Sequence, residues 1–154
     1  MKRLSFLIAP FALAGLSSTA LADTPISLDE LNGLLDTADE HGFSHYDEIS
    51  IDDSRLELEG WRDDGTRLEV DLEIPDGSVA KERERDDDIP DWSLTGDEVR
   101  QALEAAQQEG LATFSDLEAD KDGHIDVEGE DEDGQELEIR LSSSDFSIIE
   151  VERD

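Results

Sequence analysis

Apolar residues first recur at helical spacing. Leu28, Leu31, Leu34, Leu35 and Ala38 fall on one face of a 3.6-residue repeat. Ser27-Leu28-Asp29-Glu30 reads as a capping box, with Ser27 as N-cap and Glu30 three residues on. Ile26 and Leu31 stand where a hydrophobic staple would, and Gly42 supplies a C-terminal stop. The pattern predicts a helix from about Leu28 to His41. The period then falls to two. Tyr46 to Ile51 reads as a short strand, and Asp52-Asp53-Ser54 as a turn. Leu56 and Leu58 alternate with Glu57 and Glu59. After Asp64-Gly65, Leu68, Val70, Leu72 and Ile74 alternate with Glu69, Asp71 and Glu73. Such alternation describes strands with one buried and one wet face. Pro75-Asp76-Gly77 turns the chain into a fourth strand from Ser78 through Arg85.

The whole pattern then begins again. Gly60 to Leu72 and Gly129 to Leu141 keep Gly, Asp-Gly, Leu-Glu and Leu at matched positions, 69 residues apart. Each copy reads as a strand end, a tight Asp-Gly turn and an alternating strand, that is, a β-hairpin. Thr95-Gly96-Asp97-Glu98 is a second capping box, Leu94 and Val99 a second staple, and Gly110 repeats Gly42. Val99, Ala102, Leu103 and Ala106 form the second apolar stripe. Phe114 matches Tyr46, Leu117 matches Ile49, and Ile125 and Val127 match Leu56 and Leu58. Phe146 to Val151 is the last strand. The second copy departs at its final turn, where Ser144-Asp145-Phe146-Ser147 replaces the Asp-Gly sequence.

Caps, staples, stops and turns that agree at one offset indicate an internal duplication. The expected fold is α+β, with two tandem units, each one helix packed on a small antiparallel sheet of about four strands. The expected boundaries are unit one over 23–85, a charged Pro-containing linker over 86–92 and unit two over 93–154. A unit of about 60 residues has a marginal core alone, so the two are expected to pack together through sheet edges or faces. Trp61 and Trp92 are the candidates for that junction.

The order of helix, Leu56-Glu57-Leu58-Glu59-Gly60, Asp64-Gly65, Leu68-Glu69-Val70-Asp71-Leu72 and Pro75-Asp76-Gly77-Ser78-Val79 resembles the PepSY domain. The chain is similar to a tandem PepSY-like protein over nearly all of the sequence after residue 22. The resemblance implies a binding domain of the cell exterior, associated with the propeptides of secreted metallopeptidases and with restraint of peptidases. It implies no catalytic residues.

Residues 1–22 have the form of a cleavable leader. Lys2 and Arg3 precede an apolar run from Leu4 to Leu16, and Ala20-Leu21-Ala22 is a small-x-small cleavage sequence. The run is shorter than the roughly 20 apolar residues a transmembrane helix needs. Cleavage after Ala22 is therefore expected, with a periplasmic or secreted product and no membrane insertion afterwards. The remaining 132 residues keep all 44 acidic residues and 10 of the 12 basic ones, a net charge of −34. Nucleic acid and anionic membranes would repel such a chain. There is no cysteine, so stability rests on apolar burial without disulfides. The acids are spread along the sequence. This suits a solvated surface adapted to salt, and it also leaves weak divalent cation binding open.

Candidate chemistry is sparse. Asp120-Lys121-Asp122-Gly123-His124-Ile125 resembles the middle of an EF-hand loop, but position 12 would be Gly129 where a bidentate Glu is needed. A polar hairpin turn is the plainer reading. Glu128 to Asp133 could attract divalent ions or form a solvated acidic hairpin. His41, His45 and His124 show no zinc-ligand spacing. Ser142-Ser143-Ser144 is a polar turn and no phosphate loop is present. No catalytic, cofactor-binding or metal-ligating residue is assigned, and no cofactor is expected. The expectation is an exported, non-enzymatic binding protein with a peptidase or another envelope protein as partner. The alternative is an acidic cation-binding or salt-adapted protein with no specific protein partner.

Overall fold

The structure is a computed structural model that describes residues 24–154. The leader assigned to residues 1–22, with its cleavage point, lies outside the described residues. In chain order the elements are β1 (Ile26–Ser27), α1 (Leu28–His41), β2 (His45–Asp52), β3 (Arg55–Trp61), β4 (Thr66–Glu73), β5 (Val79–Asp86), β6 (Leu94–Thr95), α2 (Gly96–Gln108), β7 (Thr113–Ala119), β8 (His124–Glu130), β9 (Glu136–Ser142) and β10 (Ile148–Arg153).

The strands form one antiparallel sheet of ten, not two small sheets. Its main path runs β10-β9-β8-β7-β2-β3-β4-β5. The expectation of a small sheet for each of two tandem units is corrected here: the halves meet edge to edge and share one sheet. The first strands of the two halves pair at the centre, with Glu48, Ser50 and Ile49 opposite Glu118, Asp116 and Leu117. Two half-sheets held apart would each expose an edge strand and a marginal core; pairing removes both costs. The short strands cross the seam. β1, which leads into α1, pairs with β7, so Ile26 meets Phe114; β6, which leads into α2, pairs with β2, so Leu94 meets Tyr46. The residues read as staples thus also extend the sheet of the opposite half.

Both helices start as their sequences dictate. Ser27 accepts a hydrogen bond from the Glu30 amide at 3.2 Å. Thr95 and Glu98 form a reciprocal capping box, with the Thr95 amide donating to Glu98 at 2.8 Å. Gly42 ends α1 at φ 115°, and Gly110 repeats that angle just beyond α2. Leu28, Leu31, Leu34, Leu35 and Ala38 of α1 and Val99, Ala102, Leu103 and Ala106 of α2 join one continuous core with Leu56, Leu58, Leu68, Val70, Leu72, Val127, Ile139 and Leu141. Burying each leucine contributes roughly 1.5–3 kcal/mol. Arg100 of α2 clamps the helices together through Asp36 at 2.8 Å and Asp39 at 2.9 Å of α1.

A β-bulge sets which residues face the core. Register shifts in β2 between Tyr46 and Glu48, and in β7 between Phe114 and Asp116. The shift lets Tyr46, Ile49 and Ile51 all face the helices although their spacing is three and then two. Gly60 and Gly129 stand opposite the two bulges. A Cβ on Gly60 would lie 2.0 Å from the His45 carbonyl oxygen, and one on Gly129 would lie 1.9 Å from that of Thr113. The glycine repeated in the sequence is thus required by close backbone approach.

The final hairpin of the second half forms without its glycine. Phe146 takes a left-handed conformation at φ 57°, as Gly77 does at φ 68° in the first half. Asp145 accepts from both the amide and the hydroxyl of Ser147, as Asp76 does from Ser78. The Asx turn fixes the loop and the partly buried Phe146 ring packs against the core.

Candidate functional site

The helices cover one face of the sheet, and the other face carries the alternate residues of every long strand. Cross-strand pairing puts Glu57 beside Asp71, Glu59 beside Glu69, Asp116 beside Glu128 and Glu118 beside Asp126. Glu48 joins the ladders of the two halves through Glu59 on one side and Glu118 on the other.

At its first-half end the face folds into a nest. Trp61 ends β3 on this side, and only 1% of it is exposed. Trp92, from the segment between β5 and β6, meets it edge to face with ring centroids 6.2 Å apart. The Arg67 guanidinium lies over the Trp61 ring, 4.4 Å from its centroid. Its Nη2 donates to Asp47 at 3.0 Å and also to Glu59. The bulge makes this arrangement possible, because Asp47 is the extra residue that no strand partner opposes. Three buried polar atoms here have no hydrogen-bond partner: Asp47 Oδ1, Trp61 Nε1 and Arg67 Nε. The tryptophans read as candidates for the junction between units therefore pin the connecting segment to β3. The junction itself is main-chain pairing of β2 with β7.

The second half builds the opposite electrostatics. At the matched positions it has Glu130 for Trp61 and Glu136 for Arg67. Carboxylates crowd its centre around Asp116. Burial, followed by the nearby Glu128, Glu48, Glu118 and Asp126, pushes the Asp116 carboxyl up to about 7. Burial, then Glu138 and Glu136, raises Glu128; burial, then Glu59 and Glu118, raises Glu48. Asp116 Oδ1 is buried without a partner. Arg140 takes Asp126 through two bonds at 2.8 and 3.1 Å.

On the helix side a polar triad links three elements. The fully buried Tyr46 hydroxyl donates to Asp39 Oδ1 at 2.9 Å, and Asp39 also takes Arg100. Burial, reinforced by the Asp39 carboxylate, holds the phenol well above its ordinary range. Tyr46 stacks on Phe43 at 5.0 Å and 9°.

The motifs singled out from sequence are local structure. Asp120 Oδ1 accepts from the amides of Asp122 and His124, and Gly123 turns at φ 90°, so this stretch is the β7–β8 hairpin turn. Asp131 does the same for Asp133 and Gln135 between β8 and β9. Strands flank both turns, where an EF-hand requires helices. His41 pairs with Glu82, His45 with Ser44 and His124 with Asp120. Among the described residues no three His, Asp or Glu side chains converge to hold a metal ion. No helix among them is long and apolar enough to cross a membrane. Sequence reasoning missed the Arg67 nest. Its only sequence signal was a lone arginine at a position where the second copy has glutamate.

No curated protein matches the chain in sequence. Among solved structures, a Clostridium difficile 630 protein described as a putative lipoprotein is similar at 16% identity and a TM-score of 0.43, over 87% of this chain and 97% of that one. A family model described as "Peptidase propeptide and YPEB domain" matches residues 6–83, which takes in the first helix and strands β2 to β4 in full. That match spans half of the sequence, and the chain belongs to the PepSY family.

Proposed function

We propose that this protein is an exported, non-enzymatic binding module that restrains a peptidase in the cell envelope. In this reading the fold is one PepSY unit duplicated, residues 23–85 and 93–154 joined through 86–92, and fused into one sheet. The observation that carries the reading is the open sheet face. It is broad, rigidly backed by the helices and set with half-buried charged groups that a complementary surface could engage. Such a face supplies electrostatic steering and specificity. The family description supplies the partner class, since the propeptide of a peptidase binds the enzyme it accompanies. In the test, the protein is added to peptidases of its own extracellular or periplasmic fraction. Saturable slowing of one of them supports the reading, and none slowed or bound removes the peptidase.

A second reading rests on the carboxylates around Asp116. Their mutual repulsion would be relieved by cations, which suits a protein adapted to salt or to diffuse cation binding. Calcium titration at low and molar salt separates the two. Saturable heat that survives molar salt supports a cation site, and heat that vanishes there is screening alone.

A further inference from the structure

Among the described residues the main path of the sheet ends in two outer strands, β5 and β10. Neighbours on that path are antiparallel at every step and the path has an even number of strands, so β5 and β10 run in opposite directions. A copy placed beside the molecule in the same orientation brings its β10 antiparallel to β5. Both strands have main chain to offer. The Asp154 N–H donates to the Glu136 carbonyl at 3.1 Å, so by the alternation of an antiparallel ladder Glu150 and Glu152 also turn their main chain to β9, and Val151 and Arg153 turn theirs outward. The Asp87 N–H donates to the Gly65 carbonyl at 3.0 Å, so Lys81, Arg83 and Arg85 turn to β4, and Glu82 and Glu84 turn outward. The outward residues of both strands lie on the helix side: Glu82 and Glu84 stand opposite Val70 and Leu68, and Val151 and Arg153 opposite Ile139 and Leu137.

β5 is charged at every position from Lys81 to Asp86, in alternating sign. Charged edge strands block pairing, and the order of the charges decides which pairing is blocked. Like charges directly opposed destabilise an antiparallel pair. β5 centred on β5 of a second copy sets Arg83 against Arg83 or Arg85 and Glu84 against Glu82 or Glu84. β10 on β10 sets Glu152 against Glu150 or Glu152. β5 on β10 has no such conflict. With Glu84 opposite Val151, Arg83 meets Glu152, Arg85 meets Glu150 and Lys81 meets Asp154 on the open face, and Glu82 meets Arg153 on the helix side. The β5 cations already have acidic neighbours in their own chain: Glu69 is 3.8 Å from Arg83 and 3.5 Å from Arg85, Asp87 is 4.0 Å from Arg85, and Asp71 is 3.6 Å from Lys81. Their side chains remain 68, 59 and 47% exposed respectively, so a carboxylate on the outer side can approach each of them. Glu82 and Arg153 contribute less, since His41 and Arg62 hold the first and the Glu109 carbonyl the second.

We propose that β5 of one molecule pairs with β10 of a second copy, so that the sheet continues from chain to chain. The contact uses a different surface on each copy and leaves an edge free at both ends, so assembly passes beyond the dimer. The chain's net negative charge opposes this at long range, and molar salt, with a Debye length of about 3 Å, screens that repulsion more than it screens pairs in contact.

Sedimentation velocity follows the protein from micromolar to millimolar concentration at low and at molar salt, with amide exchange measured in parallel. The expected result is species beyond the dimer that grow with concentration at molar salt, with exchange slowing at Glu82, Glu84, Val151 and Arg153. R83E/R85E and E150R/E152R are each expected to associate at least fivefold more weakly, with melting temperatures preserved. An equal mixture of the two is expected to regain assembly, because each then meets its opposite charge on the other; a folding defect would give no such rescue. Val151→Pro removes one outward N–H, at an edge position where proline leaves the bonds to β9 in place, and is expected to weaken association without touching a charge. A protein that stays monomeric at millimolar concentration in both salts, association unchanged in the variants, or a mixture as dispersed as its components overturns the proposal. No peptidase enters this experiment, so its failure leaves the peptidase reading standing, and the reverse also holds.

Discussion

Gly60 lies so close to His45 that a methyl group on its α-carbon would sit 2.0 Å from the His45 carbonyl oxygen. The same relationship recurs between Gly129 and Thr113 at 1.9 Å. Backbone cannot yield as a flexible side chain can, so the bulge that orders each half depends on these glycines. Gly60→Ala and Gly129→Ala are each expected to cost at least about 2 kcal/mol, the scale of overpacking in a rigid site. Gly33→Ala is the contrast: it lies within α1 and its added Cβ meets nothing within 4 Å. That change is expected to stabilise the fold by about 0.5–1 kcal/mol. Denaturant unfolding of the three variants checks the ordering.

The Arg67 guanidinium lies over the Trp61 ring and pairs with Asp47 and Glu59. Arg67→Met strands a half-buried Asp47 carboxylate whose ionisation burial already opposes. The expected loss is about 2–3 kcal/mol, less than for a fully buried pair. Adding Asp47→Leu to that variant is expected to recover part of it. A double-mutant cycle with no coupling between the two positions would contradict the pairing.

Asp116 gives stability a slope with pH. Its folded pKa, about 7, lies above the ordinary aspartate value of 3.8. Between these values the folded state binds the proton more tightly than the unfolded state does. This contribution is therefore full below about pH 4 and is lost as pH rises through 7. Glu48, Glu57 and Glu128 are raised too and add to the same slope. Asp64, Asp76 and Asp145 are lowered by their turn hydrogen bonds, so their stabilisation is lost only on acidification below the ordinary carboxylate range. Asp116→Asn is expected to flatten the slope between pH 4 and pH 8 and to raise the melting temperature at pH 8. An unchanged profile would remove the crowded seam as its source.

Self-repulsion predicts a dependence on salt. The 44 acidic residues face a Debye length of about 10 Å at 0.1 M salt and about 3 Å at 1 M. The melting temperature is expected to rise between low and molar salt. Equal values at the two concentrations would reject repulsion as a limit on stability.

Much of this fold is written in local patterns. The N-cap at Ser27, the capping box at Thr95, the stop at Gly42 and the Asp-Gly turns place both helices and the hairpins, because each acts over a few residues. What joins the halves does not act locally. Ile26 and Leu94 read fully as helix staples, and nothing near them announces that they also pair with Phe114 and Tyr46 across the seam. The bulges were hidden for a similar reason: Tyr46, Ile49 and Ile51 break a simple alternation, and only the strand opposite explains it. Phe146 shows the limit of turn chemistry, since Asp145 and core contact hold a left-handed residue where the first half has Gly77. The Arg67 nest needs four elements at once, and no sequence spacing reveals it.

The proposed engagement of a peptidase by the open sheet face has a direct test. The most direct measurement is the activity of the peptidases in the native extracellular or periplasmic fraction as the protein is added in native salt. A variant with Glu57, Glu59, Glu69 and Glu118 changed to Lys runs beside it, its fold verified by circular dichroism. One peptidase is expected to be slowed saturably by the native protein, and the reversed face to lose the effect at least tenfold. Equal slowing by both proteins, or no peptidase slowed by either, would contradict it.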